Sequence, residues 1–461
     1  MLLVPSIMIK RTKLNSITFF FFLFTMLSGL QLFAQDNSPY SRYGLGDLVP
    51  NTNIVNRAMG GISAGYSDFL SINFNNPASY SGFQTLVEPR TNKSVSGRVL
   101  LDVGMNFESR TLRSPNQLEK FTSSNALFSY LQVGVPLKKN WGLSFGIKPI
   151  SRISYKIQQS QLLTDPTTGD KIDSAFTEYA GDGGSYLPNI GTGYRIKNLS
   201  VGVNFGYLFG KREAVRRRAL SNDSVLYADS RQTTLSSFGD IFFNAGAQYT
   251  IDLSKATKLR LGVSGNLKQN LKGKEDFSAE TFRRDVDGSD ITIDSVFKTT
   301  DSKGEVIYPA SYTFGFVAEH AKEKGQGWTL GADFVTTQWD EYRFFGKGDA
   351  VQNNWQFRFG GQYRPQSKLN YFSNVSYRAG FYNGRDYITA GGELPQWGAS
   401  FGLGLPIANY NRLSLNQYTI INLALEYDKR GNDENLLKEN MFRVSIGLNL
   451  SDLWFTKRKY D

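Results

Sequence analysis

The sequence predicts an all-β chain: a 14-stranded antiparallel transmembrane β-barrel whose N-terminal segment plugs the lumen. Three observations carry that expectation. Apolar and polar residues alternate with period two in about fourteen segments, most cleanly from Phe442 to Leu450, where Phe442, Val444, Ile446, Leu448 and Leu450 suit lipid and the residues between them suit water. Beyond the N-terminus no stretch approaches a spanning helix and the mean hydropathy is −0.34, so a membrane chain of this kind has to satisfy its backbone in a closed ring of strands. An export signal precedes the alternating segments, and Tyr, Trp and Phe recur at the ends of the apolar rows, where interfacial girdles form.

The signal comprises a basic stretch with Lys10, Arg11 and Lys13, an apolar run from Ile17 to Leu32, and Leu32-Phe33-Ala34 before Gln35 as the cut. Residues 1–34 are therefore expected to leave, and the run is short for an anchor. Zero cysteines exclude disulfides and a lipid-modified cysteine, and a single histidine, His320, leaves little for transition-metal chemistry. Neither metal nor cofactor is expected. The net charge of +11 is modest for 461 residues and suits anionic lipid headgroups rather than nucleic acid.

Residues 35–95 lack sustained alternation. They are low in charge and hold turn formers such as Asn73 to Tyr80, with Ile54, Ala58, Met59, Ile62 and Leu70 available to pack. We read them as folding into the barrel formed by residues 96–461. In that barrel the expected strands lie at about 96–110, 122–137, 140–157, 184–196, 199–212, 236–252 and 258–273, then at about 308–320, 327–340, 354–365, 371–384, 396–407, 417–428 and 440–451. The even number returns both ends of the barrel to one side. Short polar turns, Lys138 to Asn140, Lys197-Asn198 and Leu253 to Thr257, alternate with long polar loops at 158–183, 213–235 and 274–307, as in outer-membrane barrels. The parity weakens at the long turn from Ile407 to Asn416.

Parity also assigns faces. Asp102, Glu108, Lys148, Glu319, Asp333, Arg358, Arg378, Glu426 and Arg443 point inward. Lys148, Arg358, Arg378 and Arg443 are candidates for neutralising a carboxylate-bearing solute, against the alternative that interior acids and bases pair with each other or with the plug. Pro149 interrupts the third strand, after Leu143, Phe145 and Ile147 and before Ile153, Tyr155 and Ile157. A proline there means a bulge, an edge or a gap in pairing. Loop aromatics Phe277, Phe282, Phe344 and Phe345 are candidates for a capture surface, or equally for girdle or partner contacts. The run Lys211-Arg212 with Arg216 to Arg218 suits lipopolysaccharide phosphates or plain solvent. Asp285 to Asp290 falls short of a calcium loop, and no Ser, His and Asp set suggests an enzyme.

Certain residues carry a family resemblance. Ala58-Met59-Gly60-Gly61, then Asp68, then Asn76-Pro77-Ala78 resemble the N-terminal hatch signature of the FadL/OmpP1/TodX-type outer-membrane transporters of hydrophobic compounds; Ser38 to Gly46 and Lys457 to Asp461 resemble Bacteroidota members of that family. The resemblance implies a monomeric barrel in the outer membrane of a Gram-negative bacterium, with Gly60, Gly61, Asn76, Pro77, Ala78 and Pro149 at its hatch and gate. It also implies passive transport of hydrophobic solutes such as long-chain fatty acids, with lateral exit through a kinked strand. The alternative is an accessory barrel of an outer-membrane protein secretion or assembly complex. Expected partners are outer-membrane lipid and lipopolysaccharide, a hydrophobic small molecule and, on the alternative, other outer-membrane proteins. A transporter calls for a continuous apolar cavity between loops and hatch. An accessory barrel calls for a polar, filled lumen and an apolar or charged patch on the loops or wall.

Overall fold

The structure is a computed structural model that describes residues 38–87, 94–115, 120–221, 228–285, 289–322, 326–366, 370–407 and 418–454. The leader, Lys457 to Asp461, Val286 to Gly288 in the acidic loop and most of the turn after Ile407 lie outside the described residues. The fourteen wall strands are β1 (Ser94–Arg113), β2 (Lys120–Lys138), β3 (Trp141–Thr164), β4 (Lys171–Ile196), β5 (Leu199–Ser221), β6 (Asp229–Asp252), β7 (Thr257–Asn266), β8 (Ser311–Ala321), β9 (Gly327–Thr337), β10 (Asn354–Arg364), β11 (Ser376–Arg385), β12 (Pro395–Ile407), β13 (Tyr418–Arg430) and β14 (Lys438–Trp454). Each pairs antiparallel with its neighbours, and β14 closes on β1 from Lys438↔Arg113 to Trp454↔Gly97. Closure of β14 on β1 leaves no free edge at either end of the strand order.

The alternation sets the register. On β14, Phe442, Ile446 and Leu448 are exposed to the outside while Arg443, Ser445 and Asn449 are buried. On β5 the outward row Leu199, Val201, Phe205, Tyr207 and Phe209 is exposed. At about 3.3 Å per residue and a tilt near 40° that row covers roughly 25 Å of membrane. Trp141 and Tyr194 touch edge to face at one end of the belt and Tyr186 stacks on Phe209 at the other. Asn140 and Lys197, at φ +66° and +52°, make the tight turns on the β2–β3 and β4–β5 side.

The structure departs from expectation outside the belt. Residues 158–183 and 213–235, expected as loops, are largely strand: β3 to β6 run on past the membrane, and residues 269–284 and 290–308 form an outer hairpin that pairs with the upper half of β6. Apart from a few buried positions such as Leu271, Phe282 and Val306, both faces of these extensions are exposed or partly exposed, so sustained hydrophobic alternation disappears although the ladder continues. The expected strand 258–273 breaks accordingly. β7 pairs with the lower half of β6 and the outer hairpin with the upper half, while the Gln269 amide exchanges hydrogen bonds with Phe243 N–H and C=O between them. In the second half, Tyr371–Asn374 is a 3₁₀ turn rather than the start of a strand.

Replacing Ile446 by Arg should cost about 2–4 kcal/mol near the midplane. Ser445→Ala, one residue away on the lumen side, should cost far less. A urea folding titration in lipid vesicles compares the two, and equal losses would contradict the register.

Candidate functional site

Residues 38–83 thread through the lumen before Thr85–Val87 pair with the start of β1, and most side chains between Asn53 and Ser81 are buried, residues 67–70 and Asn75 excepted. Small wall residues make this possible. A Cβ on Gly380 of β11 would collide with the backbone of Met59 and Gly60, and one on Gly202 of β5 with Pro77 and Ala78. Bare backbone at these positions lets the inner chain lie directly against the wall. Gly60 and Gly61 both take positive φ, and the Gly60 N–H donates to Ser400 Oγ at 3.0 Å. Ahead of them, Asn53 caps the short helix Ile54–Arg57 by accepting from the Asn56 N–H at 2.8 Å.

Asn76 caps the 3₁₀ turn Pro77–Gly82, accepting from the Ala78 N–H at 3.1 Å. Its amide donates to Ala64 O at 2.7 Å and to Val263 O of β7 at 3.3 Å. The Asn-Pro-Ala turn therefore lies against β4 to β7. The wall glycines that meet Pro77, Gly193 of β4 and Gly202 of β5, place the turn there rather than beside Pro149.

The nine parity-assigned lumen residues all lie inward or partly inward, and their partners differ. Arg57 forks onto Glu426 at 2.9 and 2.7 Å and reaches Asn106 at 2.9 Å. Arg443 binds Glu108 and Glu426 at 2.7 Å each and Asp428 at 3.4 Å. A second network joins Asp47 to Arg110 at 2.7 Å and to Arg430 at 3.1 Å, with Glu439 and Asp386 completing it at 3.2 and 2.7 Å from Arg430. Asp333 accepts from the backbone N–H groups of Ser63 and Ala64 at 2.6 and 2.9 Å. Asp102 accepts from Ile72 N–H and Tyr130 hydroxyl, and Glu319 pairs with Arg260 at 3.0 Å.

Of the four candidate ligand cations, Arg443 is thus saturated by carboxylates. Lys148 donates to Asn51 and sits over the Phe74 ring. Arg358 donates to Gly61 O at 3.1 Å and to Gln356, and Arg378 to Asn422 and Gln362 at 2.8 and 2.7 Å. Each is committed to the inner segment or to neighbouring wall amides. Sequence reading did not single out Arg57, Arg110, Asp47 or Arg430. Arg110 and Arg430 share the parity of Glu108 and Glu426, so extending those rows would have found them; nothing local marked Asp47 or Arg57.

At Pro149 the wall parts. β2 and β3 pair only from Lys138↔Trp141 to Leu131↔Ile147. On the β4 side a bulge separates Pro149 from Ser151. The extra residue flips the parity, so Phe145 faces out while Ile153 and Tyr155, expected outside, are buried. The edge of β3 freed by this break is taken from within by Asp47–Leu48, in register Asp47↔Arg152 and Leu48↔Ser151, with Val49 N–H donating to Ile150 O at 3.0 Å. Ser41 exchanges hydrogen bonds with Ser154 further up, and Arg152 reaches across to Phe128 O of β2 at 2.7 Å.

The outer end of the lumen is closed by an apolar cluster. Tyr40 and Leu45 pack there with Leu208, Phe238, Trp339, Tyr342, Tyr387, Ile388 and Leu394, with Phe344 and Phe345 against them. Burial pushes the Tyr40 phenol up to about 12, and as a neutral donor it binds Leu437 O at 2.8 Å. Phe277 and Phe282 lie apart on the outer hairpin, Phe277 near Phe297 and Phe282 buried beneath Arg231. The four loop aromatics therefore form no common surface. Below the cluster a cavity of about 320 Å³ is bordered by both ion networks, by Leu48 and Val49, and by Ile150 at the break.

A family model described as BamG matches residues 8–461. Comparison with curated proteins gives no match. Among solved structures, the CymD monoaromatic hydrocarbon channel is 14% identical over 89% of this chain and 98% of that chain, with a TM-score of 0.50. The Ralstonia pickettii toluene transporter TbuX is 14% identical (88% and 99% covered, TM-score 0.48), and a Pseudomonas aeruginosa FadL homologue 13% identical (89% and 100% covered, TM-score 0.49). The likeness to the first is one of fold. With the apolar belt and the closed ring, it makes this an outer-membrane β-barrel of a Gram-negative bacterium.

Two outcomes test this geometry. Arg57→Ala removes one of the two guanidinium partners of Glu426, leaving Arg443 to hold it, and should destabilise the folded barrel by up to about 3 kcal/mol, while Arg57→Ala combined with Glu426→Gln should recover part of the loss; thermal unfolding of the purified barrel measures both. Cysteines replacing Leu48 and Ser151 should form a disulfide under mild oxidation, read as loss of free thiol. Two thiols that stay freely reactive would show that the inner strand does not rest on the β3 edge.

Proposed function

The chain belongs to the BamG family, and from that premise we propose that it serves as an accessory barrel of an outer-membrane protein secretion or assembly complex. One observation carries this reading: the lumen is occupied by the chain's own charges. Arg57, Arg110, Arg430 and Arg443 are matched by Asp47, Glu108, Asp386, Glu426, Asp428 and Glu439, and an apolar cluster closes the mouth above them. Buried ion pairs favour one fixed arrangement over movement of a solute between them. The outer hairpin supports the same reading, because Ile291, Ile293, Val296 and Phe297 are exposed on it beyond the lipid belt. Resemblance of Ser38 to Gly46 to Bacteroidota members of the FadL-type family supports a Bacteroidota source on either reading.

A second reading is favoured by the break at Pro149. A hydrophobic solute such as a long-chain fatty acid, held in the cavity, would leave between β2 and β3 directly into the membrane. Lateral exit spares about 0.8 kcal/mol for each CH₂ that would otherwise enter water. Asn76, Pro77, Ala78, Gly60 and Gly61 would then act as hatch, and Pro149 as gate.

The two readings separate on uptake of labelled long-chain fatty acid into cells that express the intact protein. On the accessory reading, uptake matches that of an empty vector. Uptake above that level, abolished when the Leu48→Cys/Ser151→Cys pair is oxidised, would establish the transporter. Deletion of residues 38–87 should turn the closed barrel into a pore with ion conductance in planar bilayers.

A further inference from the structure

Where β5, β6 and the outer hairpin leave the lipid belt, lysines share one row across the outward face. The register runs Lys211↔Ser237, Ser237↔Lys274 and Lys274↔Lys303. All four residues are exposed, whereas the alternate residues Leu208, Phe238 and Leu271 are buried. With strands roughly 5 Å apart, three ammonium groups fall within about 15 Å. Lys274 and Lys303 stand directly opposite each other, which is unfavourable for like charges. Asp301 binds Lys274 at 2.8 Å and Asp240 lies 3.8 Å from Lys272, one row lower. Lys211 and Lys303 have no carboxylate within ion-pair distance among the described residues.

Immediately below this row lie the last aromatics of the belt. Tyr186 and Tyr207 both stack on Phe209, and all three rings are exposed. Between them and the lysines the surface sinks into a groove of about 760 Å³, floored by Gly239, Gly273 and Gly304 and rimmed by Tyr207, Lys272, Lys274 and Lys303, with Glu305, opposite Lys272 in the register, as its one carboxylate. Aromatic rings of this kind mark headgroup depth. The lysine row is therefore held at the level of outer-leaflet phosphates, with a depression beside it and apolar wall beneath.

We propose that this groove binds the phosphorylated headgroup of an outer-leaflet lipid, with the phosphates on Lys211, Lys274 and Lys303 and the acyl chains along Phe209, Tyr207 and Phe205. Charge complementarity selects the occupant, and the aromatic row sets its depth. A free anion would satisfy the lysines but not the apolar wall below them. The site lies outside the lumen and does not depend on which function the barrel performs.

Native mass spectrometry of the purified full-length protein, with bis-phosphorylated lipid A and its dephosphorylated counterpart as probes, tests the site. The wild type should retain the phosphorylated lipid and release the dephosphorylated one. Lys211→Ser/Lys274→Ser/Lys303→Ser should lower retention roughly tenfold or more, whereas Lys258→Ser, at the far end of the barrel, should leave it unchanged. Heat-modifiable mobility on a gel reports folding; if the triple variant loses it, Lys303→Ser alone decides the point by the same measurement. Equal retention by the variant, equal retention of the dephosphorylated lipid, or full displacement by inorganic phosphate would overturn the proposal.

Discussion

Within hydrocarbon, every main-chain N–H and C=O has to find a partner inside the protein, and the rest of this structure follows from that requirement. The ring meets it by closing β14 on β1 over most of both strands. It falls short at two places, and each is repaired by a different device. Beyond Ile147, β3 loses β2 and gains the inner strand Asp47–Leu48. Between the two partners of upper and lower β6, the Gln269 side chain stands in for a strand at Phe243. At the first of these, the inner strand takes over the β3 ladder at Ile150, Ser151 and Arg152.

The first repair ties the wall to the interior. Asp47 belongs both to the strand covering the break and to the ion network of Arg110, Arg430 and Glu439. Parting Leu48 from Ser151 would also strain a buried carboxylate bound by two arginines. Removing one partner of such a cluster costs more than the cluster contributes, because a charge is left without water. The covered break is consequently held shut by electrostatics some distance from it, and the same charges occupy the space a solute would cross. That coupling is the physical reason for favouring a closed accessory barrel over a conduit.

Glycine has a corresponding part in the wall. Gly380 and Gly202 stand where the inner segment runs closest, so removal of side chains from the lumen face makes room for a second layer of chain. Tyr130 shows how the two layers are joined: its hydroxyl donates to Asp102 and accepts from the Ile54 N–H, linking wall to inner helix. Wall and inner segment therefore form one packed body.

Period-two alternation by itself determined the barrel, its fourteen strands and the inward face of Arg443, Glu426 and Asp333, because lipid outside and polar contacts inside impose opposite chemistry on successive residues. The Asn-Pro-Ala turn was legible as a turn, since Asn76 and Pro77 carry their own local geometry. The tertiary structure alone decided that this turn faces β4 to β7, that the bulge after Pro149 turns Ile153 and Tyr155 inward, and that Asp47 and Arg57 reach carboxyl and guanidinium partners hundreds of residues away. It also decided that the segments beyond the belt remain strands. Local pattern records only which solvent each face meets; where both faces meet water, or where partners are distant in sequence, only the assembled ring fixes the outcome.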